Sequence, residues 1–490
     1  MSRTLARPRS AVKYSRCIGV LASLGLCACG VWPRYVRPDV PAPVAWRTSS
    51  ESASAQPPAR QAAAAAWPSA EWWRGFNSGK LDDLIAQARN ANDDIAAAIA
   101  RISEADAEAR IAGAPLLPSV SLNADASRVR EISTNAGPLS YNTFSPTLGA
   151  SYQVDLWGRY RALRDAARMA ASASRFDRVT IELSVMTSVA TTYVRALELH
   201  DRLKVAEDNL TRAQTVLDGL RLQKQVGTVT ALDVAQQAVT VATLKAAVPP
   251  LRQQLLQTTD ALAILLGEEP QAVHLGSGTL ADLAEPEVGP GLPSELLARR
   301  PDVASAEAQL IAANANVAAA RAAFFPSISL TADGGYASTA LAALVSPANR
   351  IFALSAGLTQ PIFQGGALSG QYRYDQARYA ELAAGYHKAV IAAFANVEDA
   401  LVALRQTADQ EVRQQDAVKE ARNAYELSQA QWHAGIVNIL TVLNTESALF
   451  TAEDALVQVK SAHLQAVVSL FGALGGGWQE HETPCRDSPC

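Results

Sequence analysis

Two hydrophobic periods share this chain of 490 residues, one near 3.5 and one of two. From Arg159 to about Val226 there is no proline, and Val179, Leu183, Met186, Ala190, Tyr193 and Leu197 recur at alternating spacings of four and three. That is a heptad seam. It slips by one position near His200 and resumes with Leu203, Ala206, Leu210, Ala213, Leu217 and Leu220. A helix of this extent runs on the order of 100 Å at about 1.5 Å per residue, too long for an ordinary globule. A second run of the same extent covers about Ala367–Ala434. Each is predicted to reverse at a glycine, Gly227 in "QVGTVTALDV" and Gly435 in "HAGIVNILTV". Glycine there permits the positive φ of a helix end, and Thr230 or Asn438 is placed to cap the returning helix. Pro249-Pro250 is expected to interrupt the first return helix, where the second has Val457-Gln458.

The period of two appears four times. After Pro118, Val120, Leu122, Ala124 and Ala126 fall on one face and Ser121, Asn123, Asp125 and Ser127 on the other. The next run sets Leu148, Ala150, Tyr152, Val154 and Leu156 against Thr147, Ser151, Gln153 and Asp155. Ile328, Leu330 and Ala332, then Leu354, Ala356, Leu358 and Ile362, repeat the pattern. Runs of about ten residues match tilted membrane strands, apolar towards lipid and polar towards a wet lumen. Phe144, Trp157, Phe324, Phe325, Tyr336 and Phe352 are expected near strand ends, as interfacial girdles. A soluble sheet with one face on a core alternates identically, so alternation leaves both readings open. If the strands span lipid, four cannot close a barrel, and an open edge there leaves backbone groups unpaired. Several chains must then share one barrel.

The chain is a duplication. "APLLPSVSLNAD" at Ala114–Asp125 matches "AAFFPSISLTAD" at Ala322–Asp333, and one offset of 208 residues relates Pro118 to Pro326, Gly158 to Gly366, Gly227 to Gly435 and Gly267 to Gly475. The predicted organisation is a signal peptide over 1–28, an extended arm over 29–80, repeats over 81–266 and 294–475, a linker over 267–293 and a tail over 476–490. The fold class is α+β, with a helix–strand–strand–helix unit in tandem.

Composition narrows the compartment. Hydrophobic residues make up 49% but aromatics only 6%, so small side chains dominate, which suits thin, closely packed helices. The formal net charge of -4, with no basic run beyond the N-terminus, speaks against nucleic acid as a partner. Arg3, Arg7, Arg9, Lys13 and Arg16 precede the short apolar run "CIGVLASLGLCA", the layout of a secretory signal peptide. It ends in Leu26-Cys27-Ala28-Cys29-Gly30, similar to the bacterial lipobox, and Cys29, after the small Ala28, fits lipidation better than Cys27 after Leu26. An ordinary cleavage site with incidental cysteines is the competing reading. Cys485 and Cys490 either pair in an oxidising periplasm or remain free thiols.

Catalytic chemistry is not evident. His200, His274, His387, His433, His463 and His481 are scattered without metal-ligand spacing and read as surface or tunnel-wall residues. No nucleophile elbow or P-loop motif occurs, Asp82-Asp83 and Asp93-Asp94 read as helix starts, and "GALGGGW" reads as a helix stop. No metal or cofactor is expected, and no enzyme.

"GLPSELLARRPDVASAEAQLIAANANVAAARAAFFPSISL" (Gly291–Leu330), "VPPLRQQLLQTTDALAILLG" (Val248–Gly267) and "LTQPIFQGG" (Leu358–Gly366) resemble the TolC-like outer-membrane efflux proteins, in the NodT-type lipoprotein branch. The resemblance implies a homotrimer with a twelve-stranded β-barrel, continued by a long α-helical periplasmic barrel, in the bacterial outer membrane. It further implies that the tips, Gly227, Thr228, Val229, Thr230, Gly435, Ile436, Val437 and Asn438, meet a periplasmic membrane-fusion adaptor. That adaptor couples the duct to an inner-membrane pump, most often of the resistance–nodulation–division class. A periplasmic gate is placed near the tips, at Asp233, Thr441 and Asn444. By the same resemblance, many relatives carry an Asp in a "LLDAQ" stretch after the second turn, where this chain reads "VLNTE" with Asn444 in that place, so a charged constriction ring is not expected. Asp233 is equally readable as a first-turn acid complementing the helix dipole.

The expected function is the exit duct of a tripartite pump for drugs or other small molecules. The alternatives are a duct for ATP-driven export of protein or peptide, and a soluble periplasmic coiled-coil scaffold.

Overall fold

A computed structural model describes residues 35–47, 67–133, 137–276, 278–289, 291 and 293–479. The signal peptide, Cys27, Cys29, Cys485, Cys490 and His481 lie outside these residues. Helices α1 (Gly79–Ala91) and α2 (Asp93–Gly113) lead into strands β1 (Ser119–Ser133) and β2 (Gly137–Val154). Helix α3 (Arg159–Gln225) and its return α4 (Ala231–Leu266) close the first copy. The second copy comprises α5 (Pro301–Ala322), β3 (Ser327–Tyr336), β4 (Arg350–Thr359), α6 (Ala367–His433) and α7 (Ile439–Ala473). Among the described residues, only a single turn, Pro293–Leu296, stands where the offset would place a second α1.

The chain forms two compact units, each drawing on both copies. One collects Arg101–Ser174, Ala306–Tyr386 and the arm up to Asp39, and it holds the sheet. Its four strands run in the order β1-β2-β3-β4, antiparallel throughout, so β1 and β4 are edges. The register places every even-numbered strand residue on one face. Rows Val120–Ala150–Ala332–Leu354 and Leu122–Leu148–Gly334–Phe352 cross all four strands. Odd-numbered rows such as Ser119–Ser151–Thr331–Ser355 line the opposite face. The apolar face is uncovered: Leu122 is 74% exposed, Leu354 78% and Phe352 85%. The helices of this unit pack through small residues, with Ala162 against Ala318 and Ala319.

The expected ten residues hold for β3 and β4, but β1 has 15 and β2 has 18. The excess is visible in the pairing. Ala126↔Phe144 closes the unbroken run of apolar pairs on the even face, and the next pair is Arg128↔Asn142. From Ser119 to Ala126 a strand covers about 23 Å at about 3.3 Å per residue, close to the height of an apolar membrane band. The hairpin continues beyond that band as an ordinary two-stranded ribbon. Phe144 is therefore inside β2 rather than at its end, yet it marks the edge of the apolar band. Phe352 does the same in β4, beside Gly334 and before Arg350. Leu156 and Ile362 fall past the strand ends and are exposed there. At that rim Trp157 stacks on Phe325 at 4.9 Å and donates to the Pro326 carbonyl at 2.7 Å.

The other unit collects Val40–Ala100, Arg175–Ser305 and His387–Cys490. Its core joins Trp72, Trp73, Phe76, Leu81, Ile85, Val189, Tyr193, Leu262, Leu266 and Phe471. The end of the predicted arm thus supplies core aromatics, with Trp72 stacked on Phe471 at 5.0 Å. The linker packs on this core through Val273 and Leu280. Contrary to expectation, Pro249-Pro250 does not break α4. Both prolines are exposed, so the carbonyls deprived of an N–H partner face solvent, where water can bond them. His463 also departs from the surface reading: it is 5% exposed, with Nε2 2.9 Å from Glu285 Oε1 and Nδ1 3.0 Å from Thr407 Oγ1. Among the described residues no helix is long and apolar enough to cross a membrane, and no cluster suits a metal ion.

Candidate functional site: the helical hairpin tips

Each hairpin turns in the same way. Gly227 N–H donates to the Lys224 carbonyl and Thr228 N–H to Gln223; Gly435 N–H donates to Trp432 and Ile436 N–H to Gln431. This pair of bonds satisfies the last helical carbonyls and places the glycine in the left-handed region, at φ 82° and 72°. A side chain at either glycine would meet open space, so the backbone angle alone demands glycine. Val226 and Ile436, 76% and 73% exposed, present apolar surface at the turns, as do Leu222 and Leu232. Thr228, Thr230 and Asn438 are exposed as well, while Val229 and Val437 are half-buried.

The returning helices start on the predicted caps. Asp233 N–H donates to Thr230 Oγ1, and the Asp233 carboxylate accepts from Thr230 N–H and its hydroxyl, both at 2.7 Å. This reciprocal capping box holds the Asp233 side chain on its own helix. In α7 the cap is simpler: Thr441 N–H and hydroxyl both donate to Asn438 Oδ1 at 3.1 Å. Asn444 lies one turn on and is exposed. Asp233, Thr441 and Asn444 thus occupy the first turns of the return helices, and no described bond joins Asp233 to the other two.

Above the tips a buried polar layer was missed from the sequence. Ile439, Val442, Leu443, Glu446 and Leu449 form one stripe of α7, and Glu446 is buried in it at 5% exposure. Among the described residues neither of its oxygens has a hydrogen-bond partner of good geometry. Burial pushes the Glu446 carboxyl up from the ordinary carboxylate range, against weaker pulls from the Arg212 charge and the Gln237 amide. Gln237 on α4 is wholly buried, and its Nε2 donates to the Ala213 carbonyl of α3 at 2.7 Å. Tyr425 on α6 is raised by burial and then by the charge of Glu446. The signal that could have found this layer is a carboxylate in the apolar stripe, in the "TE" of "VLNTE". Further along, Arg202 of α3 grips Asp454 of α7 with two bonds, 2.8 and 3.2 Å, tying one hairpin to the other.

The chain as a whole is similar to known proteins. The chain matches the outer membrane efflux protein family over residues 84–268 and 292–476. It belongs to that family. It is 40% identical over 473 residues to the pyoverdine export outer membrane protein OpmQ of Pseudomonas putida, covering 95% of this chain and 97% of that one. It is 31% identical to the toluene efflux pump outer membrane protein TtgF of Pseudomonas putida, covering 94% and 96%. The crystal structure of the CmeC outer membrane channel of Campylobacter jejuni superposes with a TM-score of 0.86 at 23% identity, covering 93% and 96%, a likeness of fold. The protein is an outer-membrane exit duct of an efflux system, extending into the periplasm. The soluble-scaffold reading is set aside.

Proposed function

We propose that three copies of the chain form the duct, anchored by lipid on Cys29, and that it conducts small molecules without catalysing any reaction. The observation that carries this is the sheet: its apolar face is continuous across four strands, yet β1 and β4 are both unpaired edges. In lipid such edges require partners, and β4 of one copy against β1 of the next gives twelve strands in a closed ring. The tips at Gly227–Thr230 and Gly435–Asn438 are the docking surface for a periplasmic membrane-fusion adaptor, with an inner-membrane pump of the resistance–nodulation–division class behind it. Their exposed glycines, threonines and single aliphatics suit a close, knob-like contact. Asp233, Thr441 and Asn444 line the narrow periplasmic end. Asp233 is pinned by its capping box, while Thr441 and Asn444 offer a hydroxyl and an amide, a lining that discriminates weakly between ions.

The test is substitution at the tips. Gly227→Trp together with Gly435→Trp should abolish efflux while a heat-labile trimer still reaches the outer membrane. Efflux that survives both changes would mean the tips are not the docking surface. Cargo follows the neighbouring genes: an adaptor with a proton-driven pump supports small molecules, whereas an adaptor with an ATPase and no drug or metabolite phenotype on deletion supports peptide export.

A further inference from the structure

The two hairpins of one chain meet over a carboxylate that accepts no hydrogen bond of good geometry among the described residues. Glu446 takes an apolar position in α7, between Leu443 and Leu449, at 5% exposure. From α3 the only charge that bears on it is Arg212, whose exposed guanidinium also reaches Glu453 Oε2 at 3.9 Å. From α6 it faces the phenol of Tyr425, whose oxygen accepts from Gln429, and from α4 the amide of Gln237. The Gln237 amide donates to the Ala213 carbonyl, so it is held on the first hairpin. A buried carboxylate in this setting is tolerated as the neutral acid and opposed as the anion. The offset of 208 relates Glu446 to Ala238, so the first hairpin has no second acid at this layer.

We propose that Glu446 is a proton-operated lock between the two hairpins of each chain, one per copy around the periplasmic end of the duct. Protonated, its side chain fits the apolar stripe and the hairpins stay packed. Ionised, it demands water, which it obtains only when α7 moves away from α3 and α4. The packed state holds the proton more tightly than the parted state. Packing is therefore fully favoured at low pH and is weakened as pH rises through the raised value of the packed form. The displacement starts from the segment that carries Thr441 and Asn444, so parting the hairpins widens the end those residues line.

This inference rests on the reading of the tips as a gated entrance. It is tested on the mature full-length protein in planar lipid bilayers, by following conductance as the pH on the tip side is raised from about 5 to about 8. The wild type should rise several-fold. Glu446→Gln, an amide of the same shape as the neutral acid, should stay at the low-pH level throughout, and so should Glu446→Met. A wild-type conductance that is flat with pH, or a rise that survives in either variant, overturns the lock. A wild type that forms no pores at any pH would overturn the trimeric duct instead. Hydrogen exchange across residues 439–450 of the wild type, corrected for its intrinsic pH dependence, should quicken over the same range, and an unchanged rate would count against the lock whether or not the variants assemble.

Discussion

Four glycines related in pairs show how much one residue can constrain. Gly267 and Gly475 close α4 and α7 in the left-handed region, at φ 66° and 85°. A Cβ on Gly267 would strike the Ala91 carbonyl oxygen, and one on Gly475 the Arg299 carbonyl oxygen, residues that share the 208 offset. The tip glycines have the same backbone angle but open space around them. Gly227→Ala should therefore cost only the backbone penalty, about 1–2 kcal/mol. Gly267→Ala should cost more than about 2 kcal/mol, because the clash with a fixed carbonyl adds to it. Thermal unfolding of the two variants compares them, and equal losses would refute the distinction. The positions of all four glycines were legible in the sequence from their common offset. Which pair also served a close approach was not, because that depends on α1 and on the turn after Pro293, which lie far away in sequence. Glu446 and His463 were illegible for a similar reason: a charged residue reads as solvated unless its stripe is followed to the end of the helix.

At the scale of elements, helix periodicity was the most faithful guide. The two long helices end within one residue of where the heptad seams and the glycines place them, and Thr230 and Asn438 cap as expected. Proline was a poorer guide, since Pro249-Pro250 sits inside α4 on an exposed face. Strand length was poorer still. Alternation tells which face a residue takes, but a ribbon outside the lipid needs no apolar face, so β1 and β2 continue where the pattern fades. Between the hairpins, the bidentate Arg202–Asp454 pair is partly buried and joins α3 to α7. A double-mutant cycle with Arg202→Ala and Asp454→Ala should give a coupling of about 1–2 kcal/mol in stability. A coupling near zero would mean the hairpins are held by their apolar seams alone. Removing the cap with Thr230→Ala should fray the start of α4 by about 1 kcal/mol. Hydrogen exchange at residues 231–236 reads that loss directly, and unchanged rates would exclude the capping role.

For the whole molecule, the duplication and the open sheet lead to the same requirement. Each copy of the unit supplies two strands, the chain supplies four, and lipid accepts neither free edge. The apolar rows that cross all four strands have no reason to stop at β1 or β4, and in the proposed trimer another copy would continue them. The two repeats are nonetheless unequal near the hairpin tips: Asp233 stands opposite Thr441 in the offset, and Glu446 opposite Ala238. Three copies would therefore give a sixfold outline with threefold chemistry at the entrance. Lipid on Cys29 would add an anchor at the inner face of the membrane, and Cys29→Ala should lose the acyl mass while the strands still insert. The number of chains in the complex extracted from the outer membrane, read by native mass spectrometry, tests the central claim most directly. Three chains are predicted; a single chain, or any number that leaves β1 and β4 unpaired, would contradict it.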